Sequence, residues 1–569
     1  MPYDYKNWIK EKTAEFSELF ARMDKDKDLC TLKPYQMFDK DNREKPDVEN
    51  LTLNDPMVFA NRVESNLIKA NMQTVVNGDN LTDDETTLVE DFTKDYTLAV
   101  DESLVTRDIS SLMAFNAQQI CHRGRIATRT TPRMATQRDI SLGIAKEGEF
   151  IPGILPMDTR YVMYEYGAKT LRAISYQTSR SKEQVENEYG PEIARRMNKK
   201  DAIVEDLWHE DREIVFIENV EAKNSPHGYD ELPFILQICP IGLMFMDGDR
   251  ISRNGESIFA ANRELYETKN QLGSILMTLT ILSFYGGLQY ESDKGINAKQ
   301  PKIPPFGEKF VVPVDKGTRG YFNMPVNDVK NATRMLYSMV ESALQQGSLP
   351  AVSYGSLQFP LSAVAISGLQ EAEDPIYLPR LQALSLYYQR LYRMIIKQYI
   401  NQRMNIKLGT PGFVREYPYQ ELDKQYSINF RFFATSPKQQ MANISVAAAL
   451  GDTVSDDYKR REVIQLENPD AEESKIWAEK APLMSQSVAK FKVIQGLIER
   501  NQIIEANLMA AELGLTIDQI MSGGLVEEKP IEKKPAKQLM PMFAGRIGAG
   551  GRQEPGIGEA ESESVEQGV

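Results

Sequence analysis

The sequence predicts an α+β protein in which helices predominate. Along most of the chain, apolar residues recur every three or four positions, as in Phe59, Val63 and Leu67, which is typical of amphipathic helices. Between about residues 147 and 240 the apolar period shortens towards two, which is typical of strands. Charge provides a third observation. The 22 residues from Gly347 to Gly368 lack Asp, Glu, Lys, Arg and His, in a chain that is 26% charged.

Composition narrows the classes of protein to which the chain can belong. With 41% hydrophobic residues, the 569-residue chain can bury a sizeable core. Its formal charge of −14 lacks the basic excess of proteins that grip DNA phosphates, so tight non-specific DNA binding is not expected. The three cysteines form no CxxC pair, which favours a reducing cytoplasm, and the first residues lack the apolar run of a secretion signal.

Residues 1–49 are predicted to be a polar arm, and their one suggestive motif is the alternating charged run from Asp24 to Asp28. A calcium-binding EF-hand loop would continue with Gly and carry Glu at its twelfth position. Leu29 and Tyr35 occupy those two positions, so the calcium interpretation fails. We interpret the run as a solvated charged face.

Residues 50–251 are predicted to form one α+β body. Proline or acidic residues in a first turn indicate helices that begin near residues 55 and 83, and a third helix is indicated over 110–120. A helix over 181–196 interrupts the strands, and its Ser181-Lys-Glu-Gln start resembles a capping box. The period-two segments are predicted strands at 150–151, 160–165, 171–176, 203–208, 214–217 and 234–239.

A helical hairpin with an unusual insertion follows. One apolar-striped helix is predicted over 256–282 and a second over 327–346. The segment 284–325 between them is rich in Pro and Gly, with strand-like residues at 310–314 and 320–323. Two helices joined by a compact insertion are expected to lie antiparallel, with the insertion at their far tip. The second helix carries an apolar side composed of Val329, Met335, Leu336, Met339, Val340, Ala343 and Leu344.

The first of these helices contains an uncharged run, Asn270 to Tyr290, that is long enough to span a bilayer. Gly273, Ser274 and Thr278 dilute its hydrophobicity, and small or hydroxyl side chains also suit close packing of helices between subunits. We favour a helix covered by protein. A membrane-embedded oligomer is the alternative.

The rest of the chain is mostly helical. A long helix is predicted from Asp374-Pro375 to about Arg403, with a kink caused by Pro375 and Pro379. Residues 413–433 are predicted to be a return pair of strands, and helices are predicted over 437–523. The final residues, from about 526, are rich in Pro, Gly, Glu and Lys and are predicted to be disordered.

Motifs for catalysis are scarce. No Gly-Lys dipeptide occurs, so the sequence has no phosphate-binding P-loop, and the three histidines form no metal-binding or triad pattern. One enzymatic alternative remains, a metal-dependent nuclease. In it, Glu221 and either Asp206 or Asp211 would hold Mg²⁺, and Lys223 would stabilise developing charge.

The clearest basic cluster consists of Arg123, Arg125, Arg129 and Arg133. It could contact DNA or pair with acidic residues across a subunit boundary. We favour a solvated or ion-paired face.

The order of these elements resembles that of the portal proteins of tailed bacteriophages, over about residues 50–520. Local segments agree. Residues 229–234, Tyr-Asp-Glu-Leu-Pro-Phe, resemble the segment that closes the sheet of the portal wing. Residues 254–257, Asn-Gly-Glu-Ser, resemble the segment that begins the first stem helix of portal proteins. Residues 462–473 resemble the helix–loop sequence pattern near portal C-termini.

The resemblance implies a portal-type fold that assembles into a ring, typically of twelve subunits. The implied division is a polar arm 1–49, wing 50–251, first stem helix 252–283, clip 284–325, second stem helix 326–346, tunnel loop 347–368, wing long helix and return strands 369–436, helical crown 437–525 and tail 526–569.

The resemblance also implies which residues face the DNA channel and the partners. A conduit must not hold DNA, and the uncharged loop and the balanced charges of the second stem helix suit that requirement. Burial of the loop at a subunit contact is the alternative. The implied contacts are Ser348, Ser353, Tyr354, Ser356, Gln358 and Ser362 in the tunnel loop, Lys330, Arg334 and Glu341 in the stem, and Lys294, Lys299, Lys302, Lys309, Lys316 and Arg319 in the clip.

For the whole protein, the resemblance implies a structural role without a catalytic site, cofactor or metal. The partners would be double-stranded DNA passing through the channel, the terminase large subunit, the head–tail adaptor, and the major capsid and scaffolding proteins, with no membrane. The ring would assemble in the host cytoplasm and remain at one vertex of the virion capsid.

Overall fold

The computed structural model describes residues 4–46, 48–78, 81–141, 145–197, 199–218, 220–243, 245, 247–285, 288–292, 311–315, 326–350, 363–410, 412–433, 437–466, 469–484, 490, 493–494 and 503–512. Two compact units are distinguished, Met1–Trp477 and Ala478–Val569. All the sheets and sites below belong to the first unit.

Helices are the commonest regular structure among these residues. They are α1 Tyr5–Glu15, α2 Ser17–Cys30, α3 Asp55–Ile68, α4 Asp83–Val105, α5 Leu112–His122, α6 Gln137–Ser141, α7 Lys182–Tyr189, α8 Pro191–Arg195, α9 Arg250–Arg253, α10 Arg263–Tyr285, α11 Val326–Gln346, α12 Ala363–Asn401, α13 Tyr419–Leu422, α14 Pro437–Leu450, α15 Asp456–Tyr458, α16 Pro469–Met484 and α17 Ile503–Glu512.

The strands form several small sheets and one larger one. They are β1 Asn71–Asn77, β2 Arg125–Thr130, β3 Arg133–Met134, β4 Phe150–Ile151, β5 Ile154–Met157, β6 Val162–Tyr166, β7 Leu171–Ser181, β8 Asp201–His209, β9 Arg212–Ile217, β10 Val220–Pro226, β11 Phe234–Ile238, β12 Leu288–Ser292, β13 Val311–Asp315, β14 Asn405–Thr410, β15 Phe413–Pro418 and β16 Ser427–Phe433.

The largest sheet is antiparallel, with strand order β10-β9-β8-β7-β6. Helices α1 and α2 pack against it, because Trp8, Phe16 and Leu19 bury their side chains with Met163 and Leu207 of the sheet. Helices α1 and α2 are therefore part of the folded body. The predicted polar arm was wrong in this respect, since its apolar residues are few but lie on the buried sides of two helices.

The long helix α12 runs through the main hydrophobic core. Its side chains Tyr387, Tyr388, Tyr392 and Tyr399 are fully buried there. Burial of a phenol requires a hydrogen-bond partner for its hydroxyl. Tyr392 donates to the Thr93 carbonyl at 2.8 Å, and Tyr387 is 2.7 Å from the Thr128 hydroxyl. The helix thereby connects α4, β2 and the rest of the body.

Several predicted elements are confirmed. The mixed helix and strand content fits the predicted α+β class. Helices begin at Asp55 and Asp83 as expected, and Ser181 and Gln184 form the predicted capping box at the start of α7. Each of the six predicted strand segments between residues 150 and 239 overlaps an observed strand.

The pairing of the C-terminal strands differs from the prediction. β15 and β16 do not pair with each other. β15 pairs with β14, and β16 pairs along its whole length with β1, so that Phe430 lies opposite Thr74. Both β1 and β14 lie in segments expected to be helical or irregular. For β1 the reason is that a partner strand about 350 residues away leaves no local signal, whereas β14 pairs with the neighbouring strand β15.

Two predicted helix starts were also wrong. The helix predicted to begin at Glu256 begins instead at Arg263, because the Ile258 amide donates to the Cys121 carbonyl of α5 instead of to a helical turn. The long helix starts earlier than predicted, at Ala363, so it includes the last residues of the predicted tunnel loop and has Pro375 and Pro379 in its interior. The expected kink at these prolines stays a prediction.

Candidate functional site

The candidate site is the helical hairpin formed by α10 and α11. The Asn262 side-chain amide, just before α10, donates to the Leu344 carbonyl near the end of α11 at 3.0 Å. The start of one helix therefore lies beside the end of the other, which confirms the antiparallel arrangement. Gly347 allows the two helix ends to approach this closely, since a Cβ at Gly347 would be 2.2 Å from the Asn262 side-chain oxygen.

A buried ionic cluster fixes the start of α10 to helix α2. Arg263 donates to Asp26 at 2.6 and 3.0 Å and to Glu256 at 2.7 Å. Arg22 completes the cluster through Glu256 at 3.0 Å and the Gly255 carbonyl at 2.9 Å. Burial lowers the pKa of the Arg22 guanidinium to about 10. Two cations and two anions thus neutralise one another in a site that excludes most water.

The cluster corrects our interpretation of the charged run from Asp24 to Asp28. Asp26 is only 1% exposed, and Asp24 is held by Arg160 at 2.8 and 2.9 Å. Lys25 contacts Glu264 at 2.8 Å. Asp24, Lys25 and Asp26 therefore connect α2 to partners more than 130 residues away in sequence, whereas Asp28 pairs with nearby Lys33.

A second anchor is an extended segment, residues 49–53, that lies along α10. Alternate backbone amides of this strap donate to side chains one helical turn apart: Glu49 to Thr278 at 3.0 Å, Leu51 to Ser274 at 2.8 Å, and Leu53 to Asn270 at 3.0 Å. The spacing of the amides fits the spacing of the side chains, because two residues of extended chain and four residues of helix both advance by roughly 6–7 Å along the axis.

The strap explains the small and hydroxyl residues of the uncharged run. A Cβ at Gly273 would meet the Leu51 side chain at 3.0 Å, so the glycine allows the strap to approach closely. Asn270, Ser274 and Thr278 contact a segment of their own chain. Our assignment of this face to packing between subunits was therefore wrong, since the covering segment lies some 220 residues earlier.

Lys269 connects the hairpin to helix α3. Its ammonium is 3.1 Å from Asp55, at the start of α3, and 3.9 Å from Glu341 of α11. It also lies over the Tyr337 ring, 5.7 Å from the ring centroid. Glu341, predicted to line the channel, therefore lies next to the anchored end of the hairpin.

The apolar side of α11 divides into a covered half and an uncovered half. Val340 and Leu344 are buried against the body, whereas Met335, Leu336 and Met339 are 70%, 47% and 67% exposed. The helical twist explains the difference, because Met335 and Val340 are about 140° apart around the axis. The predicted single apolar side is in fact two adjacent faces.

The predicted site residues are only partly within the described chain. Arg334 is exposed and its side chain bonds with no residue that the structure describes, and the Ser348 hydroxyl donates to the Gln345 carbonyl at 3.3 Å. Lys330 lies in α11, but its side chain is outside the described set. Also outside it are Ser353, Tyr354, Ser356, Gln358, Ser362, Lys294, Lys299, Lys302, Lys309, Lys316 and Arg319.

The arginine cluster is directed into the protein. Arg125 is only 1% exposed and donates to the carbonyls of Ile251 and Asn254 at 2.7 and 2.8 Å. Arg123 contacts Asp158 at 3.2 Å, Arg129 contacts Asp206 at 2.7 Å, and Arg133 contacts Asp139. The favoured ion-paired interpretation is confirmed for Arg123, Arg129 and Arg133, whereas Arg125 is bonded to backbone carbonyls.

The proposed nuclease residues are likewise engaged elsewhere. Lys223 donates to Glu213 at 2.6 Å, and Asp206 accepts from Arg129 and from the Trp208 indole. Glu221 accepts from the Asn224 amide at 3.2 Å. Within the described ranges, no three or more His, Cys, Asp and Glu side chains are placed to hold a metal ion.

Comparison with known proteins adds no identification. No protein-family model matches the sequence, and no curated protein matches it significantly. Of the helices that the structure describes, none has the length and hydropathy needed to cross a membrane.

Proposed function

We propose that this chain is the subunit of a bacteriophage portal, a ring at one capsid vertex through which DNA is packaged and ejected. The observation that carries the proposal is the uncovered face of α11, composed of Met335, Leu336 and Met339. Three large apolar side chains on one exposed helix face are typical of a surface that another protein covers. A closed ring covers such a face with the next subunit.

The anchorage of the hairpin supports this proposal. The buried ionic cluster and Lys269 hold the start of α10 beside the end of α11, and the strap lies along α10 from Asn270 to Thr278. The other end leads into the proposed clip, residues 284–325. A firmly held hairpin is a suitable wall for a channel, because neighbouring subunits must present it in one orientation.

In the proposed complex, the chain carries no catalytic step. The terminase large subunit supplies the motor and docks at the clip, which the head–tail adaptor later occupies. Arg334 and Glu341, with opposite charges on α11, leave the proposed channel wall without a strong preference for phosphate. Capsid and scaffolding proteins would surround the wing and crown in the virion.

Electron microscopy of the purified full-length chain tests the ring. We expect closed rings with a central channel over a range of protein concentration and ionic strength. A chain that remains monomeric under all these conditions would overturn the proposal.

The DNA path is tested in the uncharged loop. Replacing Ser353 and Ser356 with Arg adds cations that pair with phosphates, so ring assembly should persist while packaging slows or stalls. Normal packaging yield in the single and double variants would remove this loop from the DNA path.

A further inference from the structure

A cleft of about 320 Å³ lies between the last turns of α12 and the segment that follows it, α13 and the start of β16. Its floor is apolar, formed by Ile396, Leu422 and Ile428, which are buried. Its rim is polar and mainly cationic, with Arg393, Lys397 and Lys424. The volume is at the lower end of that of small-molecule sites.

The charge around this cleft is opposite to that of the whole protein. Its lining carries three cations, Arg393, Lys397 and Lys424, in a chain whose net charge is −14. Asp423 is the one acidic residue that lines the cleft. A local cationic surface of this kind attracts anions even when the net charge repels them.

Arg393 is the cation that is free to bind. Its side chain is exposed and makes no hydrogen bond or ion pair with any residue in the described part of the chain. Lys397 pairs with Glu231 at 3.0 Å, and both side chains are about half exposed. Lys424 pairs with Glu85. Exposed pairs contribute little stability, and an ammonium has three donors, so both lysines can also contact an incoming anion.

We propose that this cleft binds a small amphiphilic anion, a phosphate or carboxylate attached to an apolar ring. The guanidinium of Arg393 would take the anionic group in a two-point contact, with Lys397 and Lys424 beside it. The ring would lie over Ile396, Leu422 and Ile428. The proposal does not rest on assembly into a ring, because every lining residue belongs to one subunit.

Isothermal titration of the full chain with phenyl phosphate, benzoate, inorganic phosphate and phenol separates the contribution of the anionic group from that of the apolar ring. Phenyl phosphate or benzoate should bind at least tenfold more tightly than inorganic phosphate or phenol. Arg393→Gln should weaken that binding tenfold or more. The matched control is Arg403→Gln. Arg403 is also exposed, its side chain bonds with no residue in the described ranges, and it does not line the cleft.

A second variant places a negative charge in the cleft. Ser427 is exposed and lines the rim, so Ser427→Glu should abolish binding while the thermal unfolding temperature stays close to that of the wild type. Absence of binding to the wild type at millimolar concentration would overturn the proposal. So would equal weakening by Arg393→Gln and Arg403→Gln, or equal affinity for inorganic phosphate and phenyl phosphate.

Discussion

His122 connects three helices near the entry to the hairpin. Its Nε2 is 3.1 Å from Glu64 of α3 and 3.7 Å from the Cys30 sulfur of α2, and its ring stacks on Phe259. Burial acts to lower the pKa of His122, but the hydrogen bonds with Cys30 and Glu64 outweigh it and raise the pKa to about 9. The imidazolium–carboxylate pair is therefore present at neutral pH.

The raised pKa predicts a pH dependence of stability. Because the pKa of the folded state lies above the ordinary value of 6.5, the stabilisation is fully present below pH 6.5 and is lost as pH rises through about 9. Its size is on the order of 3 kcal/mol. Urea unfolding at pH 6 and pH 10 measures it. Glu64→Gln should reduce the difference, because it removes the carboxylate of the pair while the contact with Cys30 remains. An unchanged difference would contradict the pairing.

The buried carboxylate Asp26 supports a second prediction. Asp26→Asn leaves the Arg263 guanidinium without one of its two charged partners in a buried site, which should lower the free energy of unfolding by about 3–5 kcal/mol. Asp28→Asn is the matched control, because Asp28 is 44% exposed and, among the residues that the structure describes, its side chain pairs with exposed Lys33 alone. Its cost should be below about 1 kcal/mol. Similar losses in the two variants by urea unfolding would contradict the buried cluster.

At the scale of elements, the strap and α10 form a pair whose contacts are few and specific. The backbone amides of Glu49, Leu51 and Leu53 each donate a hydrogen bond to a side chain of α10. Single substitutions of those side chains can therefore remove these hydrogen bonds without altering the helix backbone. Strap residues are exposed or half-buried, and segments with little burial open without global unfolding. The strap should therefore open independently of the rest of the body.

Hydrogen–deuterium exchange tests this independence. The double variant Ser274→Ala, Thr278→Val should speed exchange in the peptide that contains residues 49–53 by about tenfold or more, since each lost bond contributes about 1 kcal/mol. Thr268→Val is the control, because the Thr268 hydroxyl bonds only the Glu264 carbonyl of its own helix. Unchanged exchange in the double variant, or equal acceleration in the control, would show that the side chains do not hold the strap.

At the scale of the whole molecule, the uncovered face of α11 predicts an effect on assembly. Met335→Glu with Met339→Glu places two charges where a neighbouring subunit would lie, so rings should disappear from electron micrographs. Both side chains are exposed in the subunit, so the thermal unfolding temperature of the dissociated subunit should change little.

Met57→Glu controls for the added charge. Met57 is 40% exposed on α3, outside the hairpin, and its replacement should leave rings intact. Normal rings in the double variant would exclude this face of α11 as a subunit contact.

The sequence alone was sufficient for the features whose causes are local. Asp55-Pro56, the acidic run at 83–85 and Ser181 with Gln184 act within one helical turn, so the starts of three helices were predictable. Period-two patterns acted within single strands and identified six segments of the sheets. The ion pairs of the arginine cluster were also predictable, because a chain with 81 acidic and 67 basic residues offers most arginines an acidic partner.

Only the tertiary structure decided how distant charges and hydroxyls are used. The burial of Asp26 depends on Arg263, and the roles of Ser274 and Thr278 depend on a strap more than 220 residues earlier in the chain. Such pairs have no local period, so a run of alternating charges looked solvated and a run of small residues looked like a subunit contact. The cationic cleft required the structure for the same reason, because α12, α13 and β16 must fold together before its rim and floor exist.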